Sequence, residues 1–292
     1  MIKIFYQTNI TQSYYHDLSK RKFQNEENKT LEEIYNEKFK MEFKFSLDDL
    51  LYGSFEKLQE IKEKLGNMSE RDDIKEVFNY ETKFREHISK FFENNVEVHT
   101  CYFCNIEFIN KFTTNEEKIK NGFTLDHFIG KGDYPYLALS LYNLIPSCYT
   151  CNSKVKGKNE INTISPTSSS FNFDEKVKFK TFMKNENLII ESIEDFELSL
   201  KEDFSDIYKQ YMEVFELDGR YEYHKYKVIE MINKRKEYPN SRIKELAKLT
   251  QKTEEEVKQD LFGKYLFEDE DLHKRPLSKL IKDISKELEL IK

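Results

Sequence analysis

The residues best suited to do chemistry fall in one stretch, from Cys101 to Lys158. Cys101-Tyr-Phe-Cys104 and Cys148-Tyr-Thr-Cys151 are two Cys-x-x-Cys turns that together use every cysteine in the chain. Two residues between cysteines let both thiolates of a tight turn face one ion. Two such turns supply the tetrahedral sulfur cage that Zn²⁺ prefers. Four thiolates leave no open coordination position, so the implied ion is structural. The bland alternative is a set of buried or free thiols. A redox pair fits less well, because neither motif follows a thioredoxin-like strand and opens a helix. The 43 residues between Cys104 and Cys148 exceed what a compact zinc ribbon needs, so something else folds between the turns.

Inside and just beyond that clamp lie Asp126-His127, then Asn143, then Asn152 directly after the last cysteine. Phosphodiester hydrolysis needs a base to activate water and a divalent cation to hold the phosphate. His127 is the candidate base, since a neutral imidazole is available near pH 7. Asp126 and Asn152 offer oxygen donors suited to a hard ion such as Mg²⁺ or Mn²⁺. Lys131, Lys154, Lys156 and Lys158 face a single acid, Asp133, between His127 and Lys158, which makes a local basic patch for nucleic acid. Taken singly each residue has an ordinary explanation: a solvated lysine, or an Asn satisfying loop backbone. His16, His87, His99, His224 and His273 lack such company and are expected to be structural.

The pattern LDHF…YPYLALSLYNLIPSCYTCNSKVKG resembles the HNH endonucleases with a ββα-metal core and paired zinc knuckles. The likeness runs closely from Cys101 to Lys158. It implies that Asp126 and Asn152 hold the catalytic metal and that Asn143, the central Asn, hydrogen-bonds the backbone of the loop carrying the base. Many members of the family have histidine where this chain has Asn152. The chain is then an H-N-N variant, and an all-oxygen set leans to Mg²⁺. The flanks FNYETKFREHI and LFGKYLFEDEDLHKRPLSKLIKDI are similar to those of bacterial HNH proteins encoded in restriction or anti-phage loci. That similarity implies a defence setting; a further reading, which the acidic overall charge favours, makes the chain one subunit of a defence assembly, with helical arms as docking surfaces for an ATPase or sensor partner and the nuclease held inactive until triggered. Homo-oligomerisation is left open.

These residues need a scaffold, and the rest of the chain predicts an α+β one. Residues 1–95 form a helical N-terminal region, 96–164 the nuclease module, and 165–292 a β-hairpin followed by helices. Ser46 is a predicted N-cap, Leu47 to Leu65 repeat apolar residues at helical spacing, and Gly66 is the stop. A further helix is expected near Tyr80 to Phe92. Val177 to Met183 and Leu188 to Ile193 alternate around Lys184-Asn185-Glu186-Asn187, which predicts a β-hairpin. Phe204, Ile207, Tyr208, Tyr211, Met212 and Phe215 make one helical stripe. Leu277, Leu280, Ile281, Ile284, Leu288 and Ile291 make another after Pro276. Arg242 to Leu249 followed by Thr253 to Leu266 has the outline of a helix-turn-helix, but Glu254, Glu255 and Glu256 would repel phosphate from its second helix.

Composition sets the outer limits. The chain has 292 residues, 35% of them charged, with 24 Phe and 18 Tyr, enough bulk for a core beneath a charged surface. A net charge of −7 excludes a protein that coats nucleic acid over its whole surface, so any contact is local. Neither a membrane-length apolar run nor a signal peptide is present, which predicts a cytoplasmic protein. The two function classes are therefore a metal-dependent nuclease, most naturally acting on DNA, and a non-catalytic zinc module that binds nucleic acid or a protein within a defence assembly.

Overall fold

A mixed α+β architecture carries the chain, in which helices surround several two-stranded antiparallel ladders. The computed structural model describes residues 1–157, 161, 163–184, 190–263 and 272–291. Lys158, Asn185 to Ile189 and Leu266 lie outside the described residues.

The N-terminal region is helical as its periodicity predicts, and its caps account for where the helices start. Ser46 accepts the Asp49 N–H while the Asp49 carboxylate accepts the Ser46 N–H, a reciprocal capping box. The single helix predicted from Leu47 to Leu65 is two, Leu47–Tyr52 and Phe55–Leu65. Gly53 turns the backbone out of the helix where any Cβ would collide with the Asp49 carbonyl oxygen, and Ser54 caps the second helix. Gly66 then stops it at φ +70°, a conformation glycine adopts without penalty. After the π-helical turn Tyr80–Phe84 comes the helix Arg85–Asn95, which buries Ile88, Phe91 and Phe92.

This helical cradle fixes the loop that follows the candidate base. Tyr14 donates its hydroxyl to the Leu139 carbonyl at 2.7 Å, and Tyr136 donates to the Gly66 carbonyl at 2.8 Å. Ser140 hydrogen-bonds the Leu50 carbonyl. All of Tyr136 to Leu139 is buried, so the segment between the two strands of the central unit is packed against the N-terminal helices.

Beyond the central unit the sequence pattern was half right. Val177–Met183 is a strand, but its partner is Phe196–Glu202, in the register Val177↔Glu202 to Met183↔Phe196. Residues 190–193 do not pair with it. A Ser192/Asp195 capping box closes the turn Ile193–Asp195, and the strand begins only after it. The predicted stripe from Phe204 starts late: the helix is Lys209–Val214, with Tyr208, Tyr211 and Phe215 buried but Phe204 fully exposed. Asn240–Thr250 and Glu254–Phe262 are helices, the second with the predicted Thr253/Glu256 capping box. Ser278–Glu287 packs on the hairpin, where Asp283 accepts the Phe179 N–H at 2.9 Å and the Lys279 ammonium at 2.5 Å.

One hydrophobic cluster runs from Ile2 through Phe92, Cys148 and Tyr221 to Ile284, so residues from 1–95, 96–164 and 165–292 share a core. Among the described residues, a second small cluster of Ile243, Ala247 and Val257 belongs to the helix pair 240–262. No helix among the described residues is long and apolar enough to cross a membrane.

Candidate functional site

The strand Thr124–His127 pairs antiparallel with Leu144–Ser147, setting Asp126 opposite Ile145 and His127 opposite Leu144. The helical turn Thr150–Lys156 follows. This is a strand–strand–helix unit, and its helix is wide: the Gly157 N–H bonds the Asn152 carbonyl five residues back, and Gly157 at φ +53° ends it. The first cysteine turn sits beside this unit. Asn105, at φ 55°, closes that turn, and the Tyr102 N–H reaches the Pro146 carbonyl at 3.4 Å.

The two knuckles meet. Cys101, Cys104, Cys148 and Cys151 are all buried, and their sulfurs lie within 4.8 Å of one another. Cys104 Sγ to Cys148 Sγ is 3.9 Å. A tetrahedral ion with metal–sulfur bonds of about 2.3 Å spaces its ligands about 3.8 Å apart, so the cluster has the dimensions to hold a metal ion such as zinc. Hydrogen bonding within the cluster holds the Cys148 thiol down at about 6, whereas burial pushes Cys101 and Cys151 up. Arg220 caps the group: Nη1 lies 3.1 Å from Cys151 Sγ, Nη2 3.4 Å from Cys104 Sγ and 3.6 Å from Glu107. Tyr221 donates to the Cys104 carbonyl at 2.6 Å, and Phe103 stacks on Phe215 with centroids 4.3 Å apart. Arg220 escaped the sequence reading because it lies far along the chain and no local spacing marks it.

The other side of the unit opens into a cleft of about 780 Å³ that Asp126, His127, Lys131, Asn152 and Lys156 all line. His127 Nε2 is 2.9 Å from the Ala138 carbonyl oxygen. A carbonyl only accepts, so the ring proton sits on Nε2 and Nδ1 keeps its lone pair. Burial pushes this imidazole down to about 3, with repulsion from Lys131 and Lys156 in the same sense and the Ala138 bond opposing. It is neutral at physiological pH. Tyr80 meets the ring edge-on at 4.6 Å.

Asn143 is fully buried and makes three bonds to the loop after His127. Its Oδ1 accepts the Ile129 N–H at 2.6 Å, and its Nδ2 donates to the carbonyls of Ile129 at 3.1 Å and Leu137 at 3.0 Å. The Phe128 N–H bonds the Asn143 carbonyl at 3.0 Å. The amide thus ties both ends of the loop on which the His127 contact with Ala138 depends.

Lys156 requires a correction. It was expected on the surface among phosphate-binding lysines, yet it is only 5% exposed. Its ammonium turns inward, 3.0 Å from Asp126 Oδ1, 2.9 Å from Oδ2 and 2.9 Å from the His127 carbonyl. The reason is charge: burial pushes the Asp126 carboxyl up to about 6 despite Lys156, and without a cation the carboxylate would be stranded. Oδ2 is within ion-pair distance of that ammonium but accepts no well-angled hydrogen bond. Lys131 is partly committed too, bonded to Glu81 and 4.9 Å over the Tyr80 ring. Lys154 is exposed and lies 5.9 Å over the Tyr149 ring. Arg85, 68% exposed at its side chain, lines the same cleft and carries a charge that helical periodicity alone did not single out.

His99 and His273 also depart from expectation, since they come together with Glu97. Comparison of the chain with protein-family models, with curated proteins and with solved structures finds no match in any of the three.

Proposed function

We propose that the chain is a metal-dependent endonuclease of the HNH type, acting on nucleic acid and most naturally on DNA. The observation that carries this reading is that a neutral imidazole, protonated on Nε2, lines the same cleft as the oxygen donors Asp126 and Asn152. The cysteine set suits a structural Zn²⁺: four sulfurs, all buried, with no place for substrate. Asp126 and Asn152 suit a hard ion, and the buried Asp126 Oδ2 fits one. A Mg²⁺ or Mn²⁺ ion there would neutralise charge on the scissile phosphate and on the leaving 3′ oxygen.

The chain's own residues supply the rest. His127 Nδ1 takes a proton from water as it attacks phosphorus in line, and the Ala138 carbonyl keeps the ring in the required tautomer. Asn143 holds that carbonyl's loop in place. Lys131, Lys154 and Arg85 lie at or beside the cleft as contacts for backbone phosphates, which favours binding with little base readout. Hydrolysis in this sense leaves 5′-phosphate ends. In a defence setting the activity would be released by a trigger, with an ATPase or sensor as the partner that delivers it.

The test compares wild type with His127→Ala on plasmid, linear DNA and RNA, with Mg²⁺, with Mn²⁺ and with chelator. Nicking by wild type should fall by about 10²–10⁴-fold in the variant while bound zinc and the folded circular dichroism spectrum hold. Full activity in His127→Ala removes His127 as the base. A second reading, a non-catalytic zinc module that binds nucleic acid or a protein, draws on Lys156, whose ammonium already neutralises Asp126. It predicts binding without cleavage under every metal condition.

A further inference from the structure

Glu97 and His99 lie in the segment that leads from the helix Arg85–Asn95 into the first knuckle, and His273 comes from the turn Leu272–Lys274 near the other end of the chain. One ligand atom from each lies within 4.8 Å of the other two. His99 Nε2 is 2.8 Å from Glu97 Oε1, and the rings of His99 and His273 have centroids 5.3 Å apart. Tyr102 stacks on His273 at 5.8 Å with the planes 15° apart.

The backbones beneath these side chains are fixed. The Ile109 N–H donates to the His99 carbonyl at 2.7 Å, and Thr100 donates its hydroxyl to the His273 carbonyl at 2.7 Å. Buried Asn105 donates to the carbonyls of Leu272 and Arg275, each at 3.1 Å. Two distant pieces of chain are thus held in register by the same turn that carries Cys101 and Cys104. A histidine–carboxylate contact joins Glu97 and His99, and the imidazole of His273 brings a third ligand atom to the same place. A single ion placed among the three ligand atoms would use both imidazoles and the carboxylate together.

We propose that Glu97, His99 and His273 form a second metal site, separate from the cysteine cage, that takes Zn²⁺ through two imidazoles and one carboxylate and leaves a position open to water. That donor set suits borderline ions such as Zn²⁺ and disfavours Mg²⁺. The ion rivets the turn Leu272–Lys274, and with it the start of the helix Ser278–Glu287, onto the first knuckle. Glu97 is exposed, so this ion exchanges with solvent while the buried cage does not. The proposal is independent of any nuclease activity.

The test uses the tag-free full chain with its cysteine cage already filled by one equivalent of Zn²⁺. Titration calorimetry with Zn²⁺ should find a second ion, and Co²⁺ added to the same protein should give ligand-field bands without new thiolate-to-cobalt charge transfer. That spectrum needs no variant. His99→Gln and His273→Gln should each abolish the second binding event while keeping the first ion and the circular dichroism spectrum. Glu97→Gln should weaken it by more than the roughly tenfold that loss of an outer partner costs. A wild-type chain that stops at one ion overturns the proposal, as does either histidine variant binding the second ion as tightly as wild type.

Discussion

The cysteine cage and the Asp126–His127 cleft are built on the same strand–strand–helix unit, from residues interleaved along the chain, yet they solve opposite problems. The cage is closed: its four sulfurs are 0–1% exposed, and aromatic residues and Arg220 seal it. The cleft is open to solvent, yet Asp126, His127 and Lys156 at its wall are only 4–8% exposed, and the ammonium that balances the buried carboxylate sits on a long, rotatable stem. A site that only holds the fold together can be sealed by bonds to one ion. A carboxylate at the wall of a cleft is balanced here by a charge on a side chain.

Three perturbations probe that contrast, in decreasing order of effect. With the cage filled by Zn²⁺ as proposed, stripping the ion with a strong chelator, or replacing Cys148 by Ser, should cost on the order of 5–10 kcal/mol, because metal affinity in such sites is folding free energy. Thermal melts with and without chelator read this directly. Identical midpoints would show that the cage does not secure the fold.

Lys156→Met should cost about 3–5 kcal/mol at neutral pH, the penalty for leaving Asp126 buried and unpaired, since both partners are almost fully buried. Urea unfolding should also show the variant gaining more stability from Mg²⁺ or Mn²⁺ than wild type does, while Asp126→Asn combined with Lys156→Met recovers most of the loss. If Lys156→Met alone unfolds at the wild-type urea midpoint, the ammonium is not balancing the carboxylate.

The smallest effect concerns the seam behind the cleft. Glu56 accepts the Ser168 hydroxyl at 2.8 Å and both the N–H and hydroxyl of Ser169 at 2.9 Å, while Thr167 donates to the Tyr142 carbonyl just before Asn143. Desolvation alone would raise this carboxyl, but the serine hydrogen bonds outweigh it and hold it down at about 2, against an ordinary 4.5. Its stabilising contribution is complete above pH 4.5 and disappears as the pH falls towards 2. Melting wild type and Glu56→Gln across that range should give a difference at neutral pH that closes in acid. A gap independent of pH would mean the carboxylate's charge plays no part.

Much of this layout was legible in the sequence, and where it was not the cause is physical. The cysteines, Asp126, His127 and Asn143 could be found because their types are rare in combination and local spacing constrains them. The caps at Ser46 and Thr253 were legible for the same reason: the donor and acceptor lie three residues apart. What local pattern cannot encode is which way a long side chain turns. Lys156 looked like its neighbour Lys154, and only the burial of Asp126 across the unit decides that one faces inward and the other outward. Arg220 and the pairing of His99 with His273 depend on chain closure over long distances. The hairpin failed on register. Residues 188–193 and Phe196–Glu202 both alternate, and the choice falls to the second because Phe196, Leu198 and Leu200 are buried.

Arg220 gives the cage an asymmetry in reactivity. With Zn²⁺ bound as proposed, four thiolates around one dication would leave an anionic unit whose sulfurs remain nucleophiles. The guanidinium donates to Cys104 and Cys151 and withdraws electron density from that pair. Of the two sulfurs it does not touch, Cys148 is held down at about 6 while burial pushes Cys101 up, so peroxide or an alkylating agent should attack Cys148 first.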